Sequence, residues 1–348
     1  MNIRRIFKGT IMIFIVYCLI VHSQDVKTSV LSAIALWARV LIPSVFPYLV
    51  LSEYITTINL SAAPWGFVSG IFKRVFKIKA CSAKAVLCGM LCGYPTGAMC
   101  AVSLYRDGHI SKKEAASLVG FTNNAGPLFL ISAVGTTMFG NTRDGLAIYI
   151  IQLFSAFLFG MITRKKMPSY DTEHSFHIRE SKADFCEAVS KAVKITVNIC
   201  GYMVATYTMM TCFNVLLKFF IPTESEMMNA VCSALFEISA GMESLSAIEG
   251  SPALFGLICA AVSWSGLSVI LQIKYVAKEI TSLKDIIIPK ICQAIISFFA
   301  GYMYKLKFIN HVYIYQESMI SEIFFIVCIT IFAIYIFKQI SCFKVKRT

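Results

Sequence analysis

Two apolar stretches, one in each half of the chain, are long enough to enter a bilayer, and both are broken in the middle. The first runs from Ala83 to Tyr105 and holds Gly93-Tyr94-Pro95-Thr96-Gly97. The second runs from about Met227 to Ile248 and holds Glu237-Ile238-Ser239-Ala240-Gly241. Non-helical backbone persists at membrane depth only where protein buries it or water reaches it. Paired interruptions at corresponding points of two halves predict a central binding site, as in transporters built from repeats.

The rest of the chain places both stretches in a membrane. Apolar residues make up 57% of the 348 residues and charged residues 15%, which leaves too little polar surface for a soluble protein of this length. Several further runs approach the ~20 apolar residues that cross a hydrocarbon core of ~30 Å. The formal net charge of +13 comes from basic residues between apolar runs. Such placement orients a chain in the bilayer and meets anionic head groups. No basic patch is interleaved with stacking aromatics, so no nucleic-acid partner is expected. The thirteen cysteines lie mostly within apolar runs, as at Cys18, Cys200, Cys259 and Cys328, where a thiol behaves as a small hydrophobe. Cys88, Cys92 and Cys100 lack structural zinc spacing, and His174 and His177 lack convincing further ligands. No metal site, resident cofactor or enzyme motif is expected: G-x-S-x-G, the P-loop and H-E-x-x-H are all absent.

Charge placement then sets the topology. Arg4, Arg5 and Lys8 precede an apolar run, Ile11 to Val21. His22-Ser23-Gln24 is a poor cleavage site, so an uncleaved span with a cytoplasmic N-terminus is expected. A second span, Val30 to Thr57, should be kinked by Pro43 and Pro47. The basic and aromatic piece Trp65 to Ile78 should lie in the interface. If Ala83–Tyr105 crossed the membrane, Arg106, Lys112, Lys113 and Arg164-Lys165-Lys166 would fall outside; if it returned, all would stay in the cytoplasm. The spans expected after it are Glu114–Phe139, Gly145–Thr163, Ala192–Leu217, Pro252–Ile273, Ile286–Tyr304 and Ile320–Phe337. The acidic Pro222–Glu226 fits the outer face before a second hairpin.

The order span, hairpin, span, span thus occurs twice with opposite sense. The expected fold is an all-α polytopic membrane protein with an inverted-repeat, transporter-like core, two re-entrant helical hairpins and about eight full spans, both termini cytoplasmic. Its segments are an N-terminal span and loop (1–28), a first repeat (29–163, hairpin 83–105), a cytoplasmic linker (164–191), an inverted second repeat (192–305, hairpin 227–248) and a C-terminal span with a basic tail (306–348).

Four breaks carry the candidate chemistry. In Asn123-Asn124-Ala125-Gly126-Pro127, Pro127 biases Gly126 away from helix and the two amides supply donors and acceptors. Gly93, Pro95 and Gly97 suit a hairpin tip, with Tyr94 and Thr96 facing the centre. Glu237 is a charge at membrane depth, where such residues are functional or paired. Ser239 and Gly241 share its tip. Ser263-Trp264-Ser265-Gly266-Leu267-Ser268 breaks the counterpart span, and Gln272 lies one turn past Ser268 on the same face. The expected substrate-binding set is Tyr94, Thr96, Asn123, Asn124, Glu237, Ser239, Ser265 and Gln272. The expected unwinding set is Gly93, Pro95, Gly97, Gly126, Pro127, Gly241 and Gly266.

The runs Cys92–Ala98, Phe121–Phe129, Phe236–Gly241 and Ser265–Val269 resemble the YlbJ family of sporulation integral membrane proteins. That family is part of the nucleoside-recognition, or Gate, group. The resemblance implies an endospore-forming bacterium, a role in spore formation in the cytoplasmic or a forespore-related membrane, and an architecture similar to concentrative nucleoside transporters. The function expected is binding or movement of a small polar solute, nucleoside-like or coupled to Na+ or H+, by a protein compatible with a homo-oligomer. The alternative is a non-transporting membrane protein needed to assemble spore cortex or coat.

Overall fold

In hydrocarbon every backbone amide needs an internal partner, and a helix provides one within a single segment. The computed structural model, which describes residues 3–57, 63–163, 184–220 and 225–313, is accordingly helical, with no strand among the described residues. Five stretches among them are long and apolar enough to cross a membrane: Ser23–Tyr54, Thr142–Thr163, Phe185–Lys218, Pro252–Val276 and Lys284–Lys307. This is the pattern of a polytopic membrane protein, and each stretch coincides with an expected span.

The other three expected spans fare differently. Ile11–Val21 lies in α1 (Ile3–Val21), whose apolar part is short, and only His22 separates it from α2 (Ser23–Leu36). Glu114–Phe139 is interrupted after Thr122, at the break expected around Asn123–Pro127, and resumes at Leu128. Ile320–Phe337 lies outside the described residues, as do 164–183 of the linker, with His174 and His177, and 221–224 of the acidic loop.

The two-proline span holds together by widening. α2 passes through a π turn, Trp37–Leu41, into α3 (Ile42–Thr57). Pro43 has no N–H for the carbonyl of Arg39 and its ring crowds that carbonyl; the π turn directly before it supplies the room. A short α4 (Ala63–Phe76) follows.

The first broken stretch is two helices, α5 (Ala83–Leu91) and α6 (Thr96–Arg106), followed by α7 (Lys112–Thr122). Residues before α5 touch residues after α6. The Lys79 amide and the Ser82 hydroxyl donate to Glu114 Oε1 at 3.0 and 2.7 Å, and Lys79 Nζ donates to the His109 carbonyl at 2.8 Å. The pair therefore folds back on itself. After the break at 123–127, a π-helix covers Leu128–Met138, and α8 (Thr142–Thr163) follows.

The second half runs α9 (Phe185–Phe220), α10 (Glu226–Phe236), α11 (Ile238–Ser246), α12 (Pro252–Trp264), α13 (Gly266–Val276) and α14 (Lys284–Tyr313). Glu237 alone separates α10 from α11, and Gly241 lies directly on the Ala234 backbone. α12 and α14 pack closely through small residues. Gly301 lies on Cys259, and the Ser263 and Ser297 hydroxyls are 2.6 Å apart.

Two ion pairs link helices of the first half to the second. Arg106, at the end of α6, meets Glu279, after α13, at 2.7 Å; Lys305 of α14 meets Asp144 of α8 at 2.8 Å. Hydrogen bonds from the Arg106 guanidinium, then its charge, hold the exposed Glu279 carboxyl below its ordinary value of 4.5. A depressed folded-state pKa stabilises above the unfolded value and is lost as pH falls through the folded one. Melting curves of wild type and Glu279→Gln should therefore differ slightly at neutral pH and low salt, converge as pH drops below 4.5, and converge in high salt.

Candidate binding site at the helix breaks

The breaks meet in pairs. Gly93 has φ +80°, and a Cβ there would lie 3.0 Å from the Gly126 amide nitrogen, so the first folded-back tip abuts the 123–127 break. Gly266 has φ +77°, and its Cβ would lie 3.0 Å from the Ile238 nitrogen and 3.2 Å from Glu237 Cα, so the second tip abuts the α12–α13 break. Ser265, at that break, is left-handed at φ 72°. Only glycine allows both the positive φ and the close approach at 93 and 266.

Tyr94, Glu237, Ser239 and Gln272 line one narrow cleft. Its apolar walls come from the π turn and α3 (Leu41, Val45), from α9 (Ile199, Met203) and from Val269 of α13. Glu237 is 2% exposed. Its Oε2 accepts the Ala240 amide at 2.8 Å, so the carboxylate caps α11 while facing the cleft. Gln272 Nε2 donates to Ser268 Oγ at 3.3 Å, but Gln272 Oε1 is buried without a hydrogen-bond partner; the Ser239 hydroxyl lies against the Glu237 carboxylate. Buried polar atoms are nearly always paired, so an unpaired one on this wall is unusual. A second cleft, lined by Ser44, Tyr48, Cys92, Gly93, Gly126 and Phe129, shares Leu41, Val45 and Tyr94 with the first.

The remaining expected binders lie in the packed interior rather than in the first cleft. Asn123 Oδ1 accepts the Ala98 amide at 2.9 Å and its Nδ2 donates to the Val119 carbonyl at 2.9 Å. Asn123 thus joins the start of α6 to the end of α7, serving the backbone that the break set free. Asn124 Nδ2 donates to the Phe121 carbonyl at 3.1 Å, leaving Oδ1 buried and unpaired. The Thr96 hydroxyl sits between the Cys88 and Gly93 carbonyls and closes the first tip. Ser265 Oγ donates to the Val262 carbonyl at 3.2 Å. Pro95 and Pro127 sit at the starts of α6 and the π-helix. Gly97 and Gly241 are not at tips: each lies inside a helix, against Thr122 and Ala234 respectively.

The sequence reading missed Lys290. It is 2% exposed on α14, and its Nζ donates to the Asn123 carbonyl at 2.5 Å and to Ser265 Oγ at 3.0 Å. One turn on, Gln293 Nε2 donates to the Gly120 carbonyl at 2.8 Å. The signal was present: a lone lysine in the apolar run Ile286-Ile287-Ile288-Pro289-Lys290-Ile291 is a functional candidate by its cost alone. Among the described residues no group of three or more His, Cys, Asp or Glu is placed to hold a metal.

Over 181 residues the chain is 24% identical to the sporulation integral membrane protein YlbJ of Bacillus subtilis (strain 168). The match covers 52% of this chain and 43% of that protein, so it spans less than half of the relative's length. No protein-family model matches the chain, and no solved structure matches it. The likeness, together with the apolar helical architecture, supports a YlbJ-like family of multi-pass membrane proteins.

Proposed function

We propose that the chain is a permease-like membrane protein that binds a small polar solute where the two folded-back tips meet the two helix breaks. The observation that carries this is the cleft wall that Tyr94, Glu237, Ser239 and Gln272 form together, with Gln272 Oε1 buried there without a partner. A solute with hydroxyls or amides, nucleoside-like in its polarity, would donate to Gln272 Oε1 and to the carboxylate. In this reading α5–α6 and α10–α11 are re-entrant hairpins of an inverted Gate-like repeat, coupled to Na+ or H+. The contacts of Lys79 with His109 and Glu114 support the first hairpin. The ion pair Arg106–Glu279 supports a shared, cytoplasmic face for the end of α6 and the loop after α13. The relative's name supports a setting in sporulation.

The narrowness of the cleft, with free space nearer to water than to a nucleoside, favours a second reading. In that reading the protein is a closed, non-transporting membrane partner in spore assembly.

A thermal-shift screen of purified protein against nucleosides, small organic acids and mono- and divalent cations separates the two. Saturable stabilisation of about 2.7 kcal/mol at a hundredfold excess over Kd is expected for a true ligand. No response from any compound would favour the assembly reading. Single cysteines at Asp107 and Glu279 should label from the same side, and one at Asp144 from the other; labelling of Asp107 and Glu279 from opposite sides would remove the hairpin. In a spore-forming host, full spore yield from Glu237→Gln would take that residue out of the physiological role.

A further inference from the structure

An α-helical carbonyl normally receives the N–H four residues on. For Asn123 that residue is Pro127, which has no N–H. The Asn123 carbonyl is therefore orphaned at the centre of the first half by the sequence itself. In the second half, the left-handed turn at Ser265 leaves its hydroxyl at the break between α12 and α13. Both oxygens point to one place, and the Lys290 ammonium stands there, at 2.5 Å from the carbonyl and 3.0 Å from the hydroxyl. Carbonyl and hydroxyl oxygens freed by broken membrane helices are the donors that coordinate a small monovalent cation. None of the described ion pairs gives Lys290 a carboxylate. Its charge is met by dipoles, as that of a bound metal cation would be.

We propose that the Lys290 ammonium is a built-in cation that bridges the two broken halves in place of a dissociable Na+. The tether comes from α14, which also closes the Gly120 carbonyl through Gln293 and seats Pro289 on Gly120. One helix thus supplies the cation and fixes the end of α7 beside it. The junction is then independent of external Na+, so any coupling ion of the proposed solute site must act elsewhere. The inference stands on the junction alone; a solute screen without a hit leaves it intact.

The test uses the full chain, purified in detergent, with melting followed in NaCl and in choline chloride at equal ionic strength. Wild type should melt at the same temperature in both. Lys290→Ala should melt several degrees lower in choline, and Na+ or methylammonium, small enough to enter the vacated space, should return at least half of that loss saturably. Lys290→Gln keeps a neutral hydrogen-bond donor, one bond shorter than the lysine. It should also melt several degrees below wild type, and it serves if the alanine variant does not fold. Wild-type melting of Lys290→Gln would overturn the proposal, because a neutral donor would then suffice. So would a folded Lys290→Ala that none of the small cations stabilises over choline.

Discussion

Gly89→Ala should be among the most damaging single-methyl changes in this chain. Gly89 of α5 and Gly97 of α6 both face Thr122, the last residue of α7. A Cβ at 89 would land on the Thr122 carbonyl oxygen, and one at 97 on the same oxygen and 2.7 Å from the threonine hydroxyl. Backbone cannot swing aside as a side-chain tip can. Relief requires α5 or α6 to move off α7, and with it the Gly93 tip off Gly126. Overpacking of a tight core costs about 1–3 kcal/mol, and a clash with main chain belongs at or above the top of that range. At roughly 2–4 °C per kcal/mol for a mid-sized protein, the melting temperature should fall by about 6 °C or more. Gly201→Ala is the control. Nothing lies within 4 Å of its added methyl in the middle of α9, so it should leave melting unchanged or raise it slightly. Equal melting of Gly89→Ala and wild type would mean that the two helices do not rest on Thr122.

The position of each break could be read from the chain, but what each broken residue bonds to could not. Pro127, Gly93 and the Ser265-Gly266 pair act through their own backbone preferences, which are local and so visible in the residues themselves. The fate of the freed groups depends on elements far along the chain. Asn123 is expected as a ligand because its amide supplies a donor and an acceptor beside the Pro127 break. The structure spends both polar ends of Asn123 on main chain, one on α6 and one on its own helix. Lys290, by contrast, sits 167 residues from the carbonyl it serves, a separation that no periodicity reports. Gly97 and Gly241, expected at the tips, lie in the first turns of α6 and α11, against Thr122 and Ala234. The two uses of glycine differ only in φ and in the neighbour, and both are set by the fold.

Glu237→Gln should separate binding from folding at the proposed site. Glu237 does two things: Oε2 accepts the Ala240 amide at the start of α11, and the side chain faces the cleft beside Ser239 and Gln272. A glutamine amide oxygen can still accept from Ala240, so α11 keeps its cap and melting should stay close to wild type. An alanine cannot, and losing an N-cap costs about 0.5–2 kcal/mol; Glu237→Ala should therefore melt lower as well. For a solute held by the carboxylate, both variants should lose the ligand-dependent stabilisation, whereas only alanine should lose intrinsic stability. That contrast distinguishes a binding group from a structural cap. A carboxylate at membrane depth costs roughly 2.5–3.5 kcal/mol on insertion scales, and the amides at the start of α11 together with the Ser239 hydroxyl gather on this one to offset it. If the glutamine variant keeps the full wild-type response to a ligand found in the screen, the charge does not hold the solute. The carboxylate would then be a helix cap that the fold tolerates.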